Sequence, residues 1–313
     1  MKAVVLHRNG PPEMLSYEDA ADPWPGPGEI VVDVVAASVN GADYKVRQGG
    51  GSSGGPSALT FPYILGRDFS GVVAETGPGV TEFAPGDPVF GVLDRGKEGT
   101  YAEKLAVAAA IVARKPDWLS HVEAAAVGLV GLTAIWAIED TGHLKRGETI
   151  LIQGGAGGVA GFAIQMAHHL GARVITTASA GNHDYVAHLG ADEVIDYARQ
   201  DFSETVRDCD MVFDTVGGDV QVRSYKVLKP GGRLVFIAAA PAGFQPPRSD
   251  VRVERPAVTR DRGHLERILT WLEHGAVKPP PVRRFRLSDA AEAHRISEGR
   301  HLRGKLVFEI GAA

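Results

Sequence analysis

Cysteine is nearly missing from this chain: its 313 residues include one, Cys209. A single thiol excludes an intrachain disulfide framework and a four-cysteine structural zinc site. Cys209 sits in Arg207-Asp208-Cys209-Asp210, just before a strand-like run, and reads as inert packing. Basic blocks are missing too, and the net charge is −5. Nucleic acid and anionic membrane are therefore not the favoured partners. No continuous stretch of about 18 apolar residues is evident, so no membrane-spanning helix is expected. The opening Met1-Lys2-Ala3-Val4-Val5-Leu6 turns polar at His7. It is too short for a signal-peptide core and reads as a first strand. These absences suit a reducing cytoplasm.

What is present is ordinary in amount and informative in order. Apolar residues make up 44% and charged residues 23% of a chain long enough for two domains. In the first 120 residues, β-like runs at Ile30 to Ala37, Phe69 to Glu75 and Pro88 to Leu93 alternate with turn clusters. Pro23-Trp24-Pro25-Gly26-Pro27-Gly28 and Gly77-Pro78-Gly79 are two of these clusters. Such punctuation predicts a small, barrel-like β domain. The stretch Gly49-Gly50-Gly51-Ser52-Ser53-Gly54-Gly55 reads as a flexible connector or a flap over a substrate mouth.

At Ser120 the pattern changes. Ser120-His121-Val122-Glu123 is a capping box that opens a helix. Strands are then expected at Thr149–Gln153, Val174–Thr177, Glu193–Asp196, Met211–Asp214 and Arg233–Ala238, with a sixth at Val251 to Glu254. Helical stretches between them predict βαβ units and a doubly wound parallel sheet. The tail carries an amphipathic helix at Leu265 to Glu273, another capped by Ser288, and a closing strand from Gly304 to Ile310. The expected organisation is therefore α/β with three segments. Residues 1–120 start a β domain, 121–256 form an inserted nucleotide domain, and 257–313 return to the first.

The sharpest motif is the glycine turn Gly154-Gly155-Ala156-Gly157-Gly158-Val159-Ala160, set between the first of these strands and a helix running to Leu170. Gly155-x-Gly157-x-x-Ala160 fits the dinucleotide fingerprint. On this reading Gly155 permits the tight turn. Gly157 lets backbone approach a pyrophosphate, and Ala160 lets helix pack on strand. The helix N-terminus then offers free N–H groups to phosphate. Gly155, Ala156, Gly157, Gly158 and Val159 are the expected cofactor contacts.

Several further motifs run in order along nearly the whole chain. They are Val39-Asn40-Gly41-Ala42-Asp43-Tyr44, Leu65-Gly66-Arg67-Asp68-Phe69-Ser70-Gly71, Gly86-Asp87-Pro88-Val89-Phe90-Gly91, Leu132-Thr133-Ala134, Leu189-Gly190-Ala191-Asp192, Asp214-Thr215-Val216-Gly217-Gly218 and Gly304-Lys305. With the glycine turn, they resemble the zinc-independent medium-chain dehydrogenase/reductases, in the quinone oxidoreductase (zeta-crystallin-like) branch. The resemblance implies a GroES-like β-barrel catalytic domain, a Rossmann domain, NADPH and a homodimer joined through the Rossmann sheets. Zinc-dependent members carry cysteine where Asn40 stands and a His-Glu pair where Arg67-Asp68 stand. A guanidinium stays protonated and cannot ligate a metal, so no metal is expected.

The cofactor choice rests on the loop after the second Rossmann strand, Thr176-Thr177-Ala178-Ser179-Ala180-Gly181-Asn182-His183. No acid stands there to bind ribose hydroxyls and repel a 2′-phosphate, which favours NADPH. Ser179 and His183 are expected phosphate contacts. The resemblance adds Tyr197 and Lys305 at the 2′-phosphate and Thr133 near the nicotinamide. Thr133 reads equally as a helix residue bonded to its own chain. Thr215, Val216, Phe236 and Ala238 end strands on the ligand-facing edge and complete the cofactor set.

For the substrate, Asn40 and Tyr44 are the candidates, because an amide and a phenol can donate to a carbonyl oxygen as charge grows there. Asn40 could instead bond a turn. Asp43 and Asp68 read as structural acceptors, with Arg47 or Arg67 as possible partners. The adjacent His168 and His169 do not share a helix face and are read as surface or packing residues. The expected activity is hydride transfer from NADPH to a quinone or an α,β-unsaturated carbonyl. The competing readings are an enoyl reductase of a polyketide-type pathway, and a low-turnover NADPH-binding protein with a structural or RNA-binding role.

Overall fold

The computed structural model describes residues 1–50 and 59–311, so residues 51–55 of the glycine- and serine-rich stretch lie outside the described residues. The chain divides into two units. Unit 1 holds residues 1–129, 260–267 and 280–313, and unit 2 holds 130–259 and 268–279.

Unit 1 begins with β1 (Lys2–Leu6), β2 (Leu15–Asp19), β3 (Glu29–Val39), α1 (Gly41–Arg47), β4 (Tyr63–Ile64), β5 (Asp68–Thr76), β6 (Pro88–Val92), β7 (Lys104–Ala108) and β8 (Val112–Arg114). The valine-rich β3 is the organising strand. It runs eleven residues without glycine or proline and is buried on both faces over most of its length. It pairs antiparallel with β5 and, through Glu29–Asp33, with β7. The β3–β5 register slips at Val31/Val32 and again between Val34 and Ala36. Each slip bends the strand and raises its twist, so this sheet curls. A second sheet, ordered β2-β1-β4, is antiparallel.

Next comes α2 (His121–Ile135). Its capping box forms as the sequence predicts. Ser120 N–H donates to Glu123 Oε2 at 3.0 Å, and Glu123 N–H donates to Ser120 Oγ at 3.2 Å. The helix continues into a π-helical turn, Trp136–Thr141. Together residues 121–141 are long and apolar enough to span a membrane, with a mean hydropathy of 1.6. This corrects the expectation that no such stretch exists. However, 72% of that window is buried inside the protein, as in the core helix of a soluble fold.

Unit 2 continues with β9 (Thr149–Ile152), α3 (Gly158–His169), β10 (Arg173–Ala178), α4 (His183–His188), β11 (Glu193–Asp196), α5 (Phe202–Thr205), β12 (Cys209–Asp214), α6 (Asp219–Ser224), β13 (Leu228–Phe236) and β14 (Arg252–Glu254). The sheet order is β11-β10-β9-β12-β13-β14, and every pairing is parallel. Counted within the unit this is the 3-2-1-4-5-6 order of a Rossmann sheet. Strands β9, β10 and β12 are nearly all buried, as a sheet covered on both faces requires, while β13 buries its Leu234-Val235 part and exposes Lys229-Pro230-Gly231. Cys209 lies inside, where burial pushes its thiol up to about 12.

Helix α7 (Arg262–Glu273) is divided, its first part in unit 1 and the rest in unit 2. The chain then adds β15 (Val282–Arg286), α8 (Ala290–Glu298) and β16 (Lys305–Glu309). Strand β16 pairs antiparallel with β3, and β15 pairs parallel with β16, so the tail joins the curled sheet of unit 1. One local expectation fails here. The N-cap of α8 is Asp289, preceded by a 3-10 turn at Leu287–Asp289, and no side chain caps the helix. Ser288 is spent inside that turn, which takes up the residues a serine cap would have used.

Candidate functional site: a glycine turn and a buried polar network

In unit 2 the glycine turn leaves the carboxyl end of β9. Gly154 has φ +73°, the left-handed region, and its N–H donates to Thr177 Oγ1 at 3.1 Å. Gly155 has no such dihedral. A Cβ there would stand 2.3 Å from Thr176 Oγ1 on β10. The turn requirement therefore falls on Gly154, not Gly155, and Gly155 is glycine because β10 packs against it. At Gly157 a Cβ would meet only Gly154 O, at an ordinary 3.4 Å. Gly157 is also the N-cap of α3 and offers no side chain to cap it. The first-turn N–H groups of Gly158, Val159 and Ala160 thus have no intrahelical acceptor. An uncapped helix start on an open backbone fits a diphosphate.

Beside the turn, three strand ends share one hydrogen-bonded row. Thr177 Oγ1 donates to Gln153 Oε1 at 2.8 Å, and Thr215 Oγ1 donates to Gln153 O at 2.7 Å. Asp214 Oδ1 accepts from the N–H groups of Val216 and Gly217 at 2.8 and 3.0 Å. Burial nevertheless raises the Asp214 carboxyl above the usual range. Gln153 Nε2 and Asp214 Oδ2 are both buried without a hydrogen-bond partner. Orphaned polar atoms at such a place need a bound water or ligand to satisfy them. Gln153 carried no signal in the sequence, because it follows β9 in the position of any buried residue, whereas Asp214 opened one of the motifs that carried the family resemblance.

The end of β10 carries no carboxylate. Ser179 accepts from Asn182 Nδ2 at 3.0 Å, and His183 Nε2 is buried and unbonded. Tyr197 is half exposed just past β11, and Val216 is exposed at 45%. Phe236 and Ala238 lie half-buried where β13 ends, and Thr133 is buried on α2.

Unit 1 holds a separate buried network. Asp68 Oδ2 accepts from Ser38 Oγ and from Asn40 Nδ2, each at 2.6 Å, and Asp68 Oδ1 accepts from Leu129 N–H at 2.5 Å. The Lys305 ammonium donates to Asn40 Oδ1 at 2.7 Å and to Val39 O at 2.9 Å, 4.0 Å from Asp68 Oδ2. Burial pushes the Lys305 ammonium down, against the pull of Asp68 and Asp43. Asp43 Oδ2 accepts from Asn40 N–H and from Tyr101 Oη, each at 2.8 Å, while Oδ1 is orphaned. Burial pushes Asp43 up to about 6, although Arg67 and these donors oppose it.

Two expectations change here. Lys305 does not stand open to a phosphate: its side chain is 5% exposed and its protons are directed at Asn40 and Val39. Asn40 is likewise engaged at its backbone N–H and at both ends of its amide, so it acts as a strut at the start of α1. Nor do the aspartates bond the nearby arginines. Arg67 pairs with Glu98 at 2.7 Å and Arg47 pairs with Glu298. Burial pushes Glu98 up, but Tyr63 Oη and Arg67 outweigh it and hold its carboxyl below the usual range. Tyr44 lies a turn before Arg47 on α1, 6% exposed, and its hydroxyl accepts from Arg300 Nε at 3.2 Å. Tyr101, Glu98 and Arg300 escaped the sequence reading, since each is remote in the chain from the residue it serves. Among the described residues no group of three His, Cys, Asp or Glu is placed to hold a metal.

The alcohol dehydrogenase GroES-like domain model matches residues 26–117, and the zinc-binding dehydrogenase model matches residues 189–308. Relatives include the mitochondrial NAD(P)H oxidoreductase RTN4IP1 of Danio rerio, 32% identical over 99% of this chain and 91% of that protein. The 2-methylene-furan-3-one reductase of Solanum lycopersicum is 34% identical over 98% of this chain and 79% of that protein. Among solved structures, the quinone oxidoreductase from Coxiella burnetii superposes with a TM-score of 0.90 at 33% identity, covering 99% of each chain. The Escherichia coli quinone oxidoreductase complexed with NADPH also gives 0.90, at 28% identity over 99% of this chain and 100% of that one.

Proposed function

The chain belongs to the medium-chain dehydrogenase/reductase family, in its quinone oxidoreductase branch, and from this premise we propose an NADPH-dependent reductase of quinones or α,β-unsaturated carbonyls. The observation that carries the reading is the uncapped start of α3 on its glycine turn, followed by a β10 end without an acid. When bound, NADPH supplies a hydride. The chain's own residues hold and orient. Gly158, Val159 and Ala160 N–H groups would grip the diphosphate. Ser179, Asn182 and His183 form a donor-rich ledge without a carboxylate, suited to a 2′-phosphate, and Gln153 Nε2 is a donor awaiting a polar partner. Tyr44 Oη, held by Arg300, is the group suited to donate a proton to the substrate.

We read the reaction as metal-free from the donor set. At the positions where zinc relatives carry ligands, Arg67 is ion-paired with Glu98 and Asp68 is saturated by Ser38, Asn40 and Leu129. A buried ammonium, Lys305, already supplies the cation in this network. Hydride addition to an electron-poor acceptor does not need a Lewis acid as strongly as alcohol oxidation does. The short edge strand β14, open on one side, supports a homodimer joined through the unit 2 sheets. The single buried thiol supports a reducing compartment such as the cytoplasm.

The purified protein is expected to oxidise NADPH when given a simple enone or benzoquinone. Protein that binds NADPH yet turns over neither acceptor would exclude the reading. A crotonyl thioester added to the same assay separates enoyl reduction. A second expectation concerns Ser179→Asp. On this reading the added carboxylate would repel the 2′-phosphate and accept from ribose hydroxyls, so kcat/KM with NADPH should fall roughly 10- to 100-fold while NADH improves. An unchanged NADPH to NADH ratio would show that this ledge does not select the cofactor.

A further inference from the structure

Helix α1 is clamped by α8 and by Arg300, two residues beyond its end. Arg47, fully buried, donates through Nε to Gly10 O at 3.0 Å, reaches His294 Nδ1 at 3.1 Å and pairs with Glu298. One turn earlier on α1, Tyr44 Oη takes its bond from Arg300 Nε at 3.2 Å. Arg300 adopts φ +55°, the left-handed region. Left-handed backbone is unfavourable for an arginine and free for a glycine. Yet the chain puts its glycine one position earlier, at Gly299, which is right-handed. The strained residue is thus the one whose guanidinium reaches the tyrosine.

The direction of this bond decides what Tyr44 can do. A guanidinium has donors and no acceptor, so the phenol oxygen is the acceptor. Its own O–H donates to no acceptor among the described residues, although the side chain is 6% exposed. The phenol hydrogen is therefore left for an acceptor other than Arg300.

The geometry points to Arg300 as a positioning residue that readies Tyr44 to protonate a carbanionic product, and hence to α,β-unsaturated carbonyls as the acceptor class this site is built for. The inference rests on the reductase reading above. A quinone that gains a hydride becomes a hydroquinone anion, a weak base that takes its proton from water. An enone that gains a hydride at its β-carbon becomes an enolate, a much stronger base. The π pair of the C=C bond then forms a new C–H bond at the α-carbon as the Tyr44 O–H bond breaks. The electron pair of that O–H bond stays on the phenolate oxygen, which Arg300 faces. A solvent proton restores the phenol. In sum, NADPH, one proton and the enone give NADP⁺ and the saturated carbonyl.

The test compares wild type with R300M, R300K, Y44F and the Y44F/R300M double variant. Each is assayed with NADPH against an alkyl vinyl ketone and against 1,4-benzoquinone, after NADPH fluorescence titration shows that each binds cofactor. R300M should lower kcat for the enone about tenfold, the loss expected for one charge-assisted bond. The enone rate should fall further than the quinone rate. The solvent deuterium isotope effect on enone kcat should rise, and R300K should recover part of the rate. In the Y44F background the R300M change should cost nothing more, because Arg300 acts only through that hydroxyl. Equal losses with both acceptors, an R300M loss that persists beside Y44F, or no loss at all would overturn the inference and leave the reductase standing. A wild type that reduces quinones only would do the same. A wild type that reduces neither removes the reductase reading itself.

Discussion

Replacing Lys305 by methionine is expected to destabilise unit 1 by about 3–5 kcal/mol, the usual loss when one partner of a buried charge set is removed. In calorimetry this corresponds to a drop of roughly 10 °C in the unfolding temperature of that unit. Methionine matches the stem of lysine, so little volume is lost. What is lost is the only ammonium of the network and the donor to both Asn40 Oδ1 and Val39 O. Asp68 keeps its bonds from Ser38, Asn40 and Leu129, but its charge is then buried without the cation 4.0 Å away. Neutralising both members in K305M/D68N should recover part of the loss, since a paired neutral set carries no stranded charge. A K305M protein that melts with wild type would show that the ammonium does not balance these carboxylates.

The second large effect separates packing from ligand binding in the glycine turn. Gly155→Ala should weaken NADPH binding by roughly 10- to 100-fold, equivalent to the 1–3 kcal/mol typical of an overpacked site. It should also lower the melting temperature of unit 2. The new methyl would lie 2.3 Å from Thr176 Oγ1, so either β10 or the turn must move. Thr176→Ala in the same protein removes that oxygen and should restore both properties. Gly157→Ala is different. Its methyl meets only Gly154 O at 3.4 Å, and its φ of −72° suits any residue. The fold should melt unchanged while NADPH binding weakens, because the methyl fills the approach to the α3 N-terminus. Fluorescence titration and calorimetry on the same samples read the two effects. Normal NADPH affinity in G157A would mean that no diphosphate lies over this turn.

These contrasts show what could be read in advance and what could not. The parallel sheet of unit 2 was legible because its central strands carry short apolar runs, such as Thr149–Ile152 and Leu234-Val235-Phe236, that alternate with helical periodicity. The β10 ledge was legible because an acid is either present after that strand or it is not. The helix at 121–141 misled, since an apolar count cannot tell a core helix from a spanning one, and only its burial within the fold does. The glycine roles were assigned to the wrong neighbour because a motif states that small residues are needed and not which contact forbids a side chain.

Local chemistry along the chain thus determined the two sheet types, the glycine turn, the lack of a carboxylate at the end of β10 and the lack of a thiol or imidazole at the positions of Asn40, Arg67 and Asp68. Those properties depend on near neighbours in sequence, where spacing and residue type act directly. The tertiary structure alone decided that Lys305 is spent on Asn40, that Arg47 and Arg67 pair with Glu298 and Glu98, and that Arg300 stands behind the Tyr44 hydroxyl. Each of these last contacts joins residues 31 to 265 positions apart. A buried charge must find whatever partner the fold brings within about 3 Å, and no periodicity in the chain encodes that meeting.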